Sequence, residues 1–314
     1  MVKQAKKKYL HLFIKNNFVT DSMTSHSIVI GADIGGSHIT AAQIDLTDRR
    51  LIASSLVRLP VDSMAAADEV IGVWAKAIKQ AMQQTGVQKI CLAMPGPFDY
   101  EEGICLISDQ SKYPALYALN VKELLAEALD IQPSAIYINN DAACFLQGEV
   151  FCGSVSGFEN VISVTLGTGL GTALYENGSA RSADLWNMPF NDGMAEEYLS
   201  TRWFVKQYAA ITGNQISGVR ELAGLAMADT LIKGLFDEFG KNLAVFLNRF
   251  IEQTGAQAVV VGGNIAQSYS LFKDALLAGV KSRFPNVTIT TSLLGEEAAL
   301  VGAGSFWFQQ LSVG

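Results

Sequence analysis

An apolar strand that ends in a glycine turn and is followed at once by a second strand occurs twice in this chain. That recurrence restricts the fold more than any other feature. Ile28-Val29-Ile30-Gly31-Ala32-Asp33 reads as a buried strand, Ile34-Gly35-Gly36-Ser37 as its turn, and 38–45 as the returning strand. Further on, 161–166 is an apolar strand, Gly167-Thr168-Gly169-Leu170-Gly171 a turn, and a second strand runs through Tyr175 to the hairpin dipeptide Asn177-Gly178. Around these hairpins strands alternate with helices. A third strand is expected over 51–59. The spacing of Val70, Trp74, Ile78 and Met82 predicts an amphipathic helix over 65–85, stopped by Gly86. Strands follow at 89–94 and 135–138, helices at 121–129 and 142–151. Helices then dominate 195–254. A buried strand at 258–261 leads into Gly262-Gly263-Asn264, then a helix (267–283), a strand (287–291) and a final helix from Glu296. The class is α/β, and two similar halves imply two lobes with a cleft between them.

Composition narrows the function. Hydrophobic residues are 49% and charged residues 17%, which excludes a disordered chain and supplies a large core. Twenty-three basic against 30 acidic residues give a net charge of −7, the wrong sign for a general nucleic-acid binder. Apolar runs are too short for a membrane span. Cys91, Cys105, Cys144 and Cys152 show no CxxC spacing, and His11, His26 and His38 lie near none of them, so neither a zinc site nor a disulfide framework is expected. A reducing cytoplasm fits that usage. Residues 1–26, with Lys6-Lys7-Lys8 and a short apolar stretch, lack a secretory signal's features and read as a flexible basic arm, or as sequence upstream of a start at Met23.

Four segments carry chemistry. Asp33 at a strand end can hold Mg²⁺ directly or through water, while Gly35 and Gly36 let backbone N–H groups approach a phosphate and Ser37 adds a hydroxyl. Gly167-Thr168-Gly169-Leu170-Gly171 is neither GxGxxG nor a Walker loop, and it offers a second phosphate cradle. Asn139-Asn140-Asp141 leaves a strand and opens a helix. It reads either as an N-cap or as the site of a general base, Asp141. Gly262-Gly263-Asn264 allows close approach to adenine or ribose, or is a plain strand-to-helix turn.

In order and spacing these segments resemble the ROK family of bacterial sugar kinases and repressors, in the actin-like ATPase superfamily, over roughly 28–306. Asp33-Ile34-Gly35-Gly36-Ser37 is similar to its first phosphate motif, and Thr165 with Gly167, Thr168 and Gly169 to its second. Val261-Gly262-Gly263-Asn264 is similar to its adenosine motif, Pro95-Gly96-Pro97-Phe98-Asp99 to its PGPxD segment beside the sugar, and Asn140-Asp141 with Gly148-Glu149 to its ND…GE helix.

The resemblance implies a two-lobed, ribonuclease H-like fold of mixed sheets flanked by helices. Residues 27–141 plus 296–314 would form the small lobe and 142–295 the large one. It implies transfer of the ATP γ-phosphate to a hexose or amino-hexose hydroxyl, with Mg²⁺ near Asp33, Asp141 as base and a homodimer as the family's common assembly. Asn140, Pro97, Asp184, Asn187 and Glu196 would face the sugar. The family's GExGH and CxCGxxGCxE segments stand here as Ala183-Asp184-Leu185-Trp186-Asn187 and Asn191-Asp192-Gly193-Met194-Ala195-Glu196, which makes this a zinc-free branch with an altered sugar pocket. A sugar-responsive regulator of the same family and a catalytically inactive sugar-binding protein are the alternatives.

Overall fold

The computed structural model describes residues 27–83, 85–108 and 112–311; the expected N-terminal arm lies outside them. The chain divides into two compact units, one holding residues up to Asn139 together with those from Ala303 onward, the other Asn140–Gly302.

The first unit is built on a six-stranded sheet. Its strands are β1 (Ile28–Ile34), β2 (His38–Asp45), β3 (Arg50–Leu51), β4 (Val57–Pro60), β5 (Ile90–Met94) and β8 (Ile136–Asn140), in the order β3-β2-β1-β5-β8 with β4 also on β2. The pair β6 (Phe98–Asp99) and β7 (Ile104–Cys105) stands apart. Helix α1 (Ala67–Met82) turns Val70, Trp74, Ile78 and Ala81 inward, and α2 (Val121–Leu129) buries Val121 and Leu125 in the same core. The expected stop at Gly86 comes earlier. Gln43 of β2 donates its amide to the carbonyls of Ala81 and Met82 (2.9 and 3.2 Å), satisfying the last turn at Gln83, whose φ is 52°.

The expected strand over 51–59 is broken. Residues Ala53–Ser55 form a 3₁₀ turn because buried Ser55 accepts the Gln43 N–H (2.8 Å) and donates to Ile52 O (2.6 Å). A side-chain hydroxyl thus replaces the ladder at that point.

The second unit repeats the plan. Strands β9 (Val161–Leu166), β10 (Leu170–Glu176), β11 (Ser179–Ser182), β14 (Ala258–Gly262) and β15 (Thr288–Thr291) run in the order β11-β10-β9-β14-β15. In each sheet the glycine-turned hairpin is antiparallel and its first strand pairs in parallel with a later one, β1 with β5 and β9 with β14. A small hairpin, β12 (Pro189–Phe190) and β13 (Gly193–Met194), lies outside this sheet. The sheet's helices are α3 (Asp141–Cys152), α4 (Ala195–Tyr198), α5 (Thr201–Thr212), α6 (Val219–Leu225), α7 (Thr230–Thr254) and α8 (Tyr269–Lys281). Their core is aromatic: Phe204 lies 4.7 Å from Phe239 and 4.9 Å from Phe236 between ring centroids.

Helix α9 (Ala298–Leu311) begins in the second unit, where it crosses α3 backbone to backbone. A Cβ on Gly148 would strike the Ala298 carbonyl, and one on Gly302 the Cys144 carbonyl, so only glycine fits either position. Beside this crossing, the wholly buried Glu149 accepts bonds from Ser292 Oγ (2.5 Å), Ser154 N (2.7 Å), Leu294 N (2.9 Å) and Leu293 N (3.2 Å). Burial pushes its pKa up, but the bonds from Ser154, Ser292 and Leu294 outweigh that and hold it below the usual carboxylate range. The GE pair of the ND…GE helix therefore serves packing.

Since the folded pKa is depressed, the stability Glu149 contributes is present above its unfolded pKa and is lost as pH falls through the folded one. Glu149→Gln, which turns an NH₂ toward several donors, is expected to cost about 2 kcal/mol or more at neutral pH and to flatten the acid limb. Urea unfolding of both proteins between pH 3 and 8 checks this; parallel profiles for the two would contradict it.

Candidate active site

Three segments that the sequence singled out meet the first three residues of β10. Leu170 N–H donates to Glu196 Oε2 at 3.0 Å. Gly171 is where α3 comes in: an added Cβ would collide with Thr165 Oγ1 and lie 3.2 Å from Ala142 Cβ, next to Asp141. Thr172 holds the segment of Asp184, its carbonyl accepting Ala183 N (2.9 Å) and its hydroxyl Leu185 N (3.0 Å).

The turn before β10 has its own supports. Gly167 N–H bonds to Gly169 O (3.0 Å), and Gly167 O accepts both the N–H (2.8 Å) and the hydroxyl (3.0 Å) of Thr201. Among the described residues, Thr168 N–H and Gly169 N–H have no hydrogen-bond partner. The turn thus presents two adjacent donors, the arrangement that binds anions. Gly263, at φ 84°, backs against Leu166 O, and Gly262 leaves the room that the Phe145 ring of α3 fills. Both glycines are accounted for by packing at the root of the turn; Asn264 beside them is exposed.

At the N-terminus of α3 the capping role falls on Asn140 rather than on Asp141. Asn140 is the N-cap, its Oδ1 accepting from Ala142 N (3.0 Å) and Ala143 N (3.2 Å). Asp141 is the first helical residue, exposed, with Oδ1 accepting Ala142 N (2.8 Å).

The first unit carries the other loop. Gly35 N–H bonds to His38 O (2.9 Å), while Gly36 N–H and Ser37 N–H have no partner among the described residues. Asp33, the penultimate residue of β1, is half-buried, and Ser37 Oγ lies 3.1 Å from His38 Nδ1. Tyr113, which the sequence reading missed, donates its hydroxyl to Gly35 O. Burial first, and the charge of Asp33 in addition, push the Tyr113 pKa up to about 12, so it remains a donor at physiological pH. Beside it the Lys112 stem lies over Gly36, with Cε 3.1 Å from where a Cβ would stand. Pro97 is exposed and follows a cis peptide.

Asp184 and Asn187 are exposed on one 3₁₀ turn. Asp184 has φ 50°, a conformation aspartate tolerates better than most residues, and Ser182 Oγ donates to its Oδ1 at 2.7 Å. The β12–β13 hairpin that follows is fixed by an aromatic residue. Phe190 is buried, 5.4 Å from the Tyr198 ring and 5.5 Å from the Arg249 guanidinium. Tyr198 donates to Asp192, and Arg249 to Pro189 O (3.0 Å). Among the described residues no group of three or more His, Cys, Asp or Glu could hold a metal ion.

The sequence model of the ROK family matches residues 29–183, and the chain belongs to that family. It is 25% identical over 272 residues to the N-acetyl-D-glucosamine kinase of Photobacterium profundum, covering 78% of this chain and 86% of the relative. It is likewise 25% identical over 307 residues to the N-acetylgalactosamine kinase AgaK of Shewanella sp. (strain ANA-3), covering 87% and 96%. Among solved structures, the ROK hexokinase of Thermus thermophilus superposes with a TM-score of 0.78 at 22% identity, covering 91% of this chain and all of that one. The fold is the actin-like ATPase fold of these proteins, mixed sheets flanked by helices.

Phe190→Ala is expected to cost about 3 kcal/mol or more, as large aromatic truncations in cores do, and to open 189–194 to proteolysis. Denaturant unfolding with limited digestion measures both; unchanged stability would mean the hairpin has another anchor.

Proposed function

We propose that this protein is an ATP-dependent sugar kinase that phosphorylates a hydroxyl of a hexose or amino-hexose. One observation carries the reading: among the described residues each glycine-turned hairpin leaves two adjacent backbone N–H groups unpaired, at Gly36-Ser37 and at Thr168-Gly169. A nucleoside triphosphate has the oxygens such donors fit. Gly35 and Gly36 with Ser37, and Thr165 and Gly167 to Gly169, take the phosphates. The turn Gly262-Gly263-Asn264, whose glycines packing requires, offers the exposed Asn264 to the adenosine. Asp33 has the donor chemistry to hold Mg²⁺ directly or through water, and the ion supplies charge neutralisation at the phosphates.

Asp141 accepts the proton of the attacking hydroxyl. Asn140 fixes the turn of helix from which it does so, and Pro97, Asp184, Asn187 and Glu196 line the sugar. Catalysis of this kind is mostly positioning and charge stabilisation, which suits a site built on backbone contacts. Relatives named for N-acetylhexosamines favour an amino-hexose. No described helix is long and apolar enough to cross a membrane. A zinc-free, cytoplasmic enzyme that acts as a homodimer on a small sugar and binds no nucleic acid completes the proposal.

ATP consumption across glucose, mannose, allose, fructose, N-acetylmannosamine, N-acetylglucosamine and N-acetylgalactosamine is the first test. Turnover of none of them, with DNA binding in a gel shift, would favour the regulator. Asp141→Asn is expected to lower kcat by about 10²–10⁴-fold with little change in Tm, because Asn140 is the cap. Asn140→Ala should cost about 1 kcal/mol of stability. Retention of more than about a tenth of kcat in Asp141→Asn would remove Asp141 as the base.

Asp184→Glu/Asn187→His tests the altered pocket. An unpaired buried group there costs roughly 1–3 kcal/mol, which shifts relative kcat/KM between epimers about tenfold to a hundredfold. An unchanged order of preference would show that these positions do not read the sugar.

A further inference from the structure

Glu196 lies on a four-residue helix, α4, and its carboxylate faces the phosphate turn. Oε2 accepts Leu170 N–H at 3.0 Å and lies 2.7 Å from the place a Gly169 Cβ would occupy. Oε1 is bonded by the Arg202 guanidinium; the Glu196 side chain is 21% exposed and that of Arg202 67%. Arg202 stands one residue from Thr201, whose N–H and hydroxyl grip Gly167 O at the other end of the same turn. The turn is therefore clasped at both ends, and its backbone donors are divided. Gly167 and Leu170 donate theirs within the protein, while those of Thr168 and Gly169 have no partner among the described residues.

We propose that Glu196 is a positioning residue for the nucleotide: by accepting Leu170 N–H it holds the Gly167–Gly169 turn in the form that binds phosphate, apart from any contact it makes with sugar. This deepens the kinase reading and rests on it. A carboxylate is the suitable group. It has about four acceptor sites, so Leu170 and Arg202 leave room for sugar hydroxyls as well. Its charge also strengthens the bond to a backbone N–H. Without it, Leu170 N–H competes with its neighbours for any incoming oxygen, and the turn must be ordered when the nucleotide binds, at a cost in affinity.

The test is calorimetric titration of Mg-AMP-PNP into the full-length protein with no sugar present. Wild type is compared with Glu196→Ala, Glu196→Gln and Arg202→Met, and exchange of the Leu170 amide with deuterium is followed by NMR. Wild type should bind. Glu196→Ala should bind about fivefold or more weakly, the worth of one net hydrogen bond, with faster Leu170 exchange. Glu196→Gln, which keeps an acceptor, should fall between, and Arg202→Met should follow it. If Glu196→Ala does not fold, Glu196→Gln and Arg202→Met carry the test.

A wild type that binds nucleotide as tightly as its variants overturns the proposal and leaves the kinase reading standing, with Glu196 a sugar anchor alone. A wild type that fails to bind Mg-AMP-PNP overturns both.

Discussion

Leu170, Gly171 and Thr172 impose on the second unit a constraint that its other site segments obey. Each residue of this short stretch of β10 fixes a different segment: Leu170 N–H fixes Glu196, the missing side chain of Gly171 admits α3 beside Asp141, and Thr172 holds the turn bearing Asp184. The strand is paired on both sides, with β9 and with β11, so those segments are referenced to a rigid element. A change of chemistry at Asp184 or Asn187 alters side chains on an anchored turn and leaves the anchor alone. That separation allows the side chains of this turn to vary while the strand that anchors it is kept.

The sequence made the scaffold legible where hydrophobic period and glycine placement agree. The two hairpins, the helix on Val70, Trp74 and Ile78, and the buried strand 258–261 follow from local pattern. It failed where a distant side chain decides a boundary. Gln43 ends α1 and Ser55 breaks the expected third strand, and neither bond leaves a trace in the local period. The β12–β13 hairpin was not legible because two-residue strands carry no period at all.

Within the candidate site, residue types announced the donors but not their use. The glycines of 262–263 suggested a ligand, yet Phe145 and Leu166 already explain them. Asn140-Asp141 looked like one ambiguous signal; the cap proved to be Asn140, and the role of base is proposed for Asp141. Tyr113 and Thr201 escaped notice because each acts through a contact far along the chain from the motif it supports, Tyr113 on Gly35 and Thr201 on Gly167; Arg202 lies six residues from Glu196 but carries no motif signal of its own.

The central claim of the proposal is that the unpaired N–H groups of Thr168 and Gly169 bind nucleotide phosphate. Titrating Mg-AMP-PNP into ¹⁵N-labelled protein and following the amides of residues 167–170 tests it directly. The account predicts large downfield shifts at Thr168 and Gly169 that saturate together, with Gly167 and Leu170 moving little because their N–H groups are already bonded. Saturable binding that leaves the Thr168 and Gly169 amides unmoved would contradict it.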